Sequence, residues 1–207
     1  MKKLSIVVVV CLILVSAFTA QAQFKLAIGG ITGMNFSIHS GADVQSTGTG
    51  IGIAIGAQAD MSFSRNIGVV TTLYFYDGRG GSYNFTSGGV SANYDASIGY
   101  FMIEPLFKYT LPTSPMYIIV GPSIGFAVVG SYSVTATGYN GTKGSIADMN
   151  ARFEIKAGAG YIIPLSKDMR INGQFTFGYG PSAVQSNVNW RIMTFGLHGA
   201  FEFDVVK

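Results

Sequence analysis

The stretch Met149 to Ile163, M-N-A-R-F-E-I-K-A-G-A-G-Y-I-I, limits the fold more than any other part of this chain. Every second residue from Met149 through Ala151, Phe153, Ile155, Ala157, Ala159 and Tyr161 to Ile163 is apolar or small. Asn150, Arg152, Glu154, Lys156, Gly158 and Gly160 fall between them. Alternation over this length is the period of a β-strand, whose side chains point to opposite faces in turn. One face is greasy and the other charged, so the fold follows from which of them meets water.

The N-terminus bears on that choice. Lys2 and Lys3 precede an apolar block from Leu4 to Phe18 and the small-x-small site Ala20-Gln21-Ala22. This is the anatomy of a secretory signal peptide, residues 1–22, cleaved after Ala22. The block is shorter than the ~20 residues a spanning helix needs. Residues 23–207 then form a single domain. Removing the leader takes two lysines and no acid from the 13 basic and 10 acidic residues, leaving 11 against 10. The basic character is thus mostly the leader's, and no nucleic-acid partner is expected. The one cysteine, Cys11, leaves with it, so neither a disulfide framework nor a cysteine metal site is expected. Charged residues make up 11% of the chain, against ~25% in an ordinary soluble domain. A barrel exterior facing water would be hard to solvate with so few.

Further alternating runs follow the same rule. They lie at Phe24–Phe36, Ile51–Phe63, Ile67–Phe75, Phe101–Tyr109, Met116–Val129, Met169–Tyr179 and Met193–Val205. Polar connections at Ser37–Thr49, Asp77–Gly89 and Gly130–Ala147 are long and Gly180–Asn187 is of medium length, while Ser64–Asn66, Leu111–Pro115 and Leu165–Asp168 are short. About eight strands with long and short connections in turn predict an all-β fold, an eight-stranded antiparallel up-and-down transmembrane β-barrel with both termini periplasmic. Aromatic residues sort to the two strand ends, with Phe24, Phe63, Tyr109, Tyr161, Phe201 and Phe203 at one and Phe36, Phe75, Phe126, Phe177 and Tyr179 at the other. Two such girdles mark the interfaces of a membrane barrel. Between Tyr94 and Ile98 the apolar parity reverses, which predicts a bulge near Gly99 or an end to the lipid-facing band there. Pro105 cannot donate to a ladder and is expected to mark a local bulge.

On this reading Asp60, Glu104, Lys108, Arg152, Glu154, Lys156, Arg170, His198 and Glu202 point inward as a polar network of nearly balanced charge. Buried charges are tolerated when paired and hydrogen-bonded, and an eight-stranded barrel holds only its own side chains or one small ligand. On the alternation alone, Ile155→Arg should cost about 2–4 kcal/mol near mid-bilayer, and Lys156→Gln less.

The segment Phe101-Met-Ile-Glu-Pro-Leu-Phe-Lys-Tyr109, a short turn, and Pro115-Met-Tyr-Ile-Ile-Val-Gly-Pro-Ser-Ile-Gly-Phe126 resembles the outer-membrane β-barrel family that includes PorT-like proteins. The resemblance implies an outer-membrane location, an eight-stranded barrel and no catalytic residues.

Catalytic and metal chemistry find no support in the residues. His39 and His198 have no carboxylates at ligand spacing. His39-Ser40 lacks an oriented acid and oxyanion donors, and Gly78-Arg-Gly-Gly81 does not join a strand to a helix. The expectation is a non-enzymatic integral barrel without cofactor, a monomer in outer-membrane lipid, with loops that contact other envelope proteins or support secretion machinery. One alternative is a narrow ion or small-solute pore. The other is a secreted, soluble, lipocalin-like barrel with the faces exchanged, exposing Arg152, Glu154 and Lys156.

Overall fold

The computed structural model describes residues 24–41, 47–87, 90–136, 141–186 and 189–206. The expected leader at 1–22 lies outside the described residues. Among the described residues there are nine strands: β1 (Lys25–Ser40), β2 (Gly48–Ser62), β3 (Ile67–Ser87), β4 (Val90–Thr110), β5 (Met116–Ala136), β6 (Thr142–Ser145), β7 (Arg152–Pro164), β8 (Met169–Tyr179) and β9 (Arg191–Val206). All pairings are antiparallel. β1 pairs with both β2 and β9, and β4 pairs with β5, so eight strands close into a ring while β6 pairs only with β5. Closure gives every strand of the ring two neighbours, so no edge remains around the barrel.

Alternation sets the two faces. Phe153 and Ile155 are exposed while Arg152, Glu154 and Lys156 are buried. The same holds around the ring, with Ile51, Ile53, Ile118, Val120, Phe175 and Leu197 outward. Aromatic rings cluster on this outer face towards both ends. Phe24 meets Phe63, and Phe201 meets Phe203, near the chain termini; Phe177 and Phe195 meet towards the other end. A lipocalin-like barrel with an aliphatic interior is excluded, because the charges lie inside.

At the end where β1 begins and β9 finishes the connections are tight. Phe63 and Ser64 N–H donate to the Ile67 carbonyl, and Asn66 Nδ2 donates to the Thr110 carbonyl at 2.7 Å. At the other end two predicted loops are strand instead. Residues 78–87 of β3 pair with 90–99 of β4, and β5 runs on to Ala136 before turning back as β6. Their Ser, Gly and Thr content reads as loop, yet the ladder of a tall hairpin satisfies their backbone groups regardless of side chain. This is also why nine strands are present where alternation predicts eight.

The irregularity expected near Gly99 is present. The β4–β5 register shifts between Gly99 and Tyr100, opposite Ala127 and Val129, so the additional residue is Val128 on β5. A second shift falls between Tyr74 and Asp77 on β3. β4 itself alternates without a break, with Ala96, Ile98, Tyr100 and Met102 all buried. The parity reversal read from the sequence is therefore the end of the outward apolar band. Met149 also departs from expectation. Asp148 has a positive φ of 52°, β7 begins only at Arg152, and Met149 turns inward onto the buried cluster around Trp190.

Pro105 sits in no bulge. The register is the same on both sides of it, from Ile103↔Ile124 to Phe107↔Val120, which sets Pro105 opposite Pro122. Pairing lapses only across these two prolines and their neighbours. Each ring removes the N–H that would bond to the other's carbonyl, so one seam loses two ladder bonds. Pro105→Val combined with Pro122→Val should restore both and raise the unfolding free energy by about 1–2 kcal/mol, measured by urea unfolding in lipid vesicles.

Candidate functional site

The barrel interior divides into two polar halves. The half nearer the termini is a closed network. Asp60 accepts from Lys108 Nζ at 2.5 Å and from Arg170 at 3.0 Å. Arg170 also bonds Glu202 at 2.6 Å, and Glu202 in turn accepts from Gln58 at 2.6 Å and Asn172 at 3.2 Å. Gln174 donates to Gln58 at 2.8 Å, and the Tyr117 hydroxyl donates to Asn172. Lys108 lies 5.2 Å from the centre of the Tyr117 ring. The ring fits because residue 160 is glycine; a Cβ there would stand 2.2 Å from it. The two cations face two buried acids whose four carboxylate oxygens each accept at least one hydrogen bond, the condition under which buried charge is tolerated.

The half nearer the tall hairpins holds the other buried charges. Lys156 bonds Glu104, which also accepts from Ser123 at 3.1 Å. Arg152 bonds Glu154 and the Ile192 carbonyl at 2.6 Å. Arg79, fully buried, pairs with Asp77 at 2.5 Å and lies 3.6 Å from Glu154. Asn35 Nδ2 donates to Asp77 at 2.5 Å. Among the described residues, the buried polar atoms that lack a hydrogen-bond partner all belong to this half. They include Arg79 Nε and Nη1, Arg152 Nη1, Tyr100 Oη, Ser37 Oγ, Thr194 Oγ1, His39 Nε2 and both ring nitrogens of His198. Polar groups of this kind in a protein interior are the ones that ordered water satisfies.

An apolar lid closes over this half. Ile146, Val184, Trp190 and Ile192 are buried together, with Tyr94, Tyr132 and Met149 packed on them. Val184 N–H donates to the Trp190 carbonyl at 2.8 Å, and Asn150 N–H to Val184 at 2.9 Å. Trp190 Nε1 donates to His39 Nδ1 at 3.0 Å, which places the proton of a neutral His39 on Nε2.

All nine residues named from the sequence, Asp60, Glu104, Lys108, Arg152, Glu154, Lys156, Arg170, His198 and Glu202, have inward side chains. Eight are almost wholly buried and Arg170 is 20% exposed. His198 stands apart from the ion pairs, its ring 5.5 Å from that of Tyr74. The sequence reading missed Asp77 and Arg79, which sit just past the register shift in a segment taken as loop. Their own alternation, Asp77, Arg79, Gly81, continues the numbering of the outward run ending at Phe75 and is displaced by one residue from the inward row Val70, Thr72, Tyr74, so the shift turns an outward parity inward. Gly81 is part of it, since a Cβ there would meet the His39 ring at 2.6 Å. The neutral partners Gln58, Tyr117, Asn172 and Gln174 share the inward parity of their strands, but whom they bond is set by register.

His39 and Ser40 are consecutive residues of β1, so their side chains point to opposite faces and form no dyad. Among the described residues, no cluster of three or more His, Cys, Asp or Glu is placed to hold a metal ion.

No family model and no curated protein matches the chain. Solved structures do. Ail, the attachment invasion locus protein of Yersinia pestis, is 11% identical, over 86% of this chain and 98% of its own, at a TM-score of 0.42. Neisserial surface protein A is 9% identical over 88% and 97%, at 0.43. The outer membrane protein OprG from Pseudomonas aeruginosa is 12% identical over 90% and 98%, at 0.45. At these identities the likeness is one of chain trace, and the barrel itself rests on the strand pairings given above.

Proposed function

We propose that this chain is an integral outer-membrane β-barrel with a structural, non-conducting interior, its contacts made by the tall hairpins outside the cell. The observation that carries this reading is the inversion of the usual faces. A closed ring of strands presents Ile, Leu, Val and Phe outward and holds its ion pairs inside. Such a surface is stable only in an apolar solvent. Short turns, with the start of β1 and the end of β9 at the same end, support a periplasmic position for that end. The network around Asp60, Glu202 and Arg170 closes the lumen there, and the Trp190 lid closes the other end, which argues against the narrow-pore reading. The PorT-like segment supports the same assignment: its two strands are β4 and β5, joined by the turn at Leu111–Pro115. No residue is assigned a catalytic role, and the partners are outer-membrane lipid and, at the hairpins, envelope components.

The test combines fractionation with electrophysiology. The protein should stay with the outer membrane after carbonate washing, run as a heat-shifted band when unboiled, and show no conductance steps in planar bilayers. Release into the soluble fraction overturns the membrane assignment. Reproducible conductance steps overturn the closed lumen.

A further inference from the structure

Above the apolar band, the outward face of the tall hairpins changes chemistry completely. On β4 the outward row runs Ile103, Phe101, Gly99 and then Ser97 and Asp95. Register sets Ser131 of β5 beside Ser97 and Ser133 beside Asp95. On β6, Ser145 and Lys143 continue the same rows. These six side chains therefore form a regular three-strand array, spaced ~4.8 Å across the strands and ~7 Å along them. Five of the six are exposed and Ser133 is half-buried. Among the described residues, the hydroxyls of Ser97, Ser131, Ser133 and Ser145 take no part in internal hydrogen bonds. The opposite face of the same strands carries Ala96, Ile98 and the Tyr94–Tyr132 stack, which support the lid. The polar face thus has no structural task inside the molecule. A shallow depression of about 320 Å³ lies on it, between Asp95, Ser97, Ser131, Ser133 and Lys143.

We infer that this face binds the neutral sugar headgroups of glycolipid in the surrounding outer leaflet. The inference rests on the membrane assignment proposed above. Height is the first argument. Ser131 lies two residues beyond outward Val129, ~7 Å along a tilted strand, which puts it in the headgroup layer some ~5–8 Å thick beside the hydrocarbon. The face looks sideways from the barrel wall, in continuity with the lipid-facing band, so what it meets first is a headgroup and not a soluble molecule. Charge is the second. One acid, Asp95, and one base, Lys143, leave the array neutral, whereas phosphate-bearing headgroups are gathered by clusters of Lys and Arg. Donor balance is the third. Each serine hydroxyl donates one hydrogen bond and accepts two, the same double capacity that a sugar hydroxyl has.

The experiment uses full-length protein reconstituted in phosphatidylcholine vesicles containing minor fractions of digalactosyldiacylglycerol and phosphatidylglycerol. Polymer extraction excises the protein with its lipid annulus, and mass spectrometry counts the lipids. Digalactosyldiacylglycerol should be enriched over the bulk by roughly threefold, the yield of about one net hydrogen bond, with phosphatidylglycerol unenriched. Combining Ser97→Ala, Ser131→Ala and Ser133→Ala should return the glycolipid to its bulk ratio while the heat-shifted band persists. Bulk ratios around the wild type overturn the inference, as does enrichment that survives the triple variant or equal enrichment of phosphatidylglycerol. Competition by a soluble galactan would assign the face to free polysaccharide and overturn its lipid source. Failure of the protein to insert into vesicles at all would instead overturn the membrane assignment, so the two failures are distinguishable.

Discussion

Replacing Lys156 with methionine should lower the unfolding free energy by about 3–5 kcal/mol, the cost of stranding a buried partner charge. Lys156 is 2% exposed; it bonds Glu104 and lies 3.6 Å from Glu154 and 5.8 Å from the Tyr74 ring centre. Without it, Glu104 keeps, among the described residues, only the Ser123 hydroxyl as a hydrogen-bond partner. Glutamine at 156 would be little better, since it supplies a hydrogen bond but no charge. The loss should be read from urea unfolding in vesicles by the heat-shifted band. Adding Glu104→Gln to Lys156→Met should recover most of it, because removing both charges of a buried pair is far less damaging than removing one. Failure of the double variant to recover would mean that the site matters for its packing rather than its charges.

Arginine on the outer face should be nearly as damaging, with a depth profile. The outward row of β7 runs Phe153, Ile155, Ala157, Ala159, Tyr161 and Ile163. Ala157, in the middle of that row, should approach the upper end of the roughly 2–4 kcal/mol that a midplane arginine costs when changed to Arg, and Ile155→Arg should fall nearer the lower end. Equal costs at the two positions, or none, would mean that the outer face does not meet a hydrocarbon layer. These two expectations reverse the order that alternation alone suggests for position 156. Alternation shows that Lys156 points inward; it does not show that Lys156 is the partner of an acid 52 residues away.

Several features were legible because they depend on nearest neighbours along the chain. Side-chain parity at Arg152, Glu154 and Lys156 follows from strand geometry once a strand is granted, and the tight turns at Ser64–Asn66 and Leu165–Asp168 are local events. The tall hairpins were not legible, because Gly78–Ser87 and Ser131–Ala136 have loop-like composition and become strand only through cross-strand pairing. The register shift on β3 moved Asp77 and Arg79 out of the parity that would have revealed them. The prolines of β4 and β5 were visible as residues. That Pro105 and Pro122 share one seam is a matter of register, which a single strand cannot state.

The amino-acid sequence by itself determined the class of fold, the inside and outside of most strands and the charge balance of the interior, since a period of two and a scarcity of charge are properties of the chain alone. The tertiary structure alone decided which acid meets which base, which half of the lumen is closed by its own side chains, and that a row of serines stands free above the apolar band. Those facts depend on which strands lie side by side and in what register, and register is fixed by the closure of the ring.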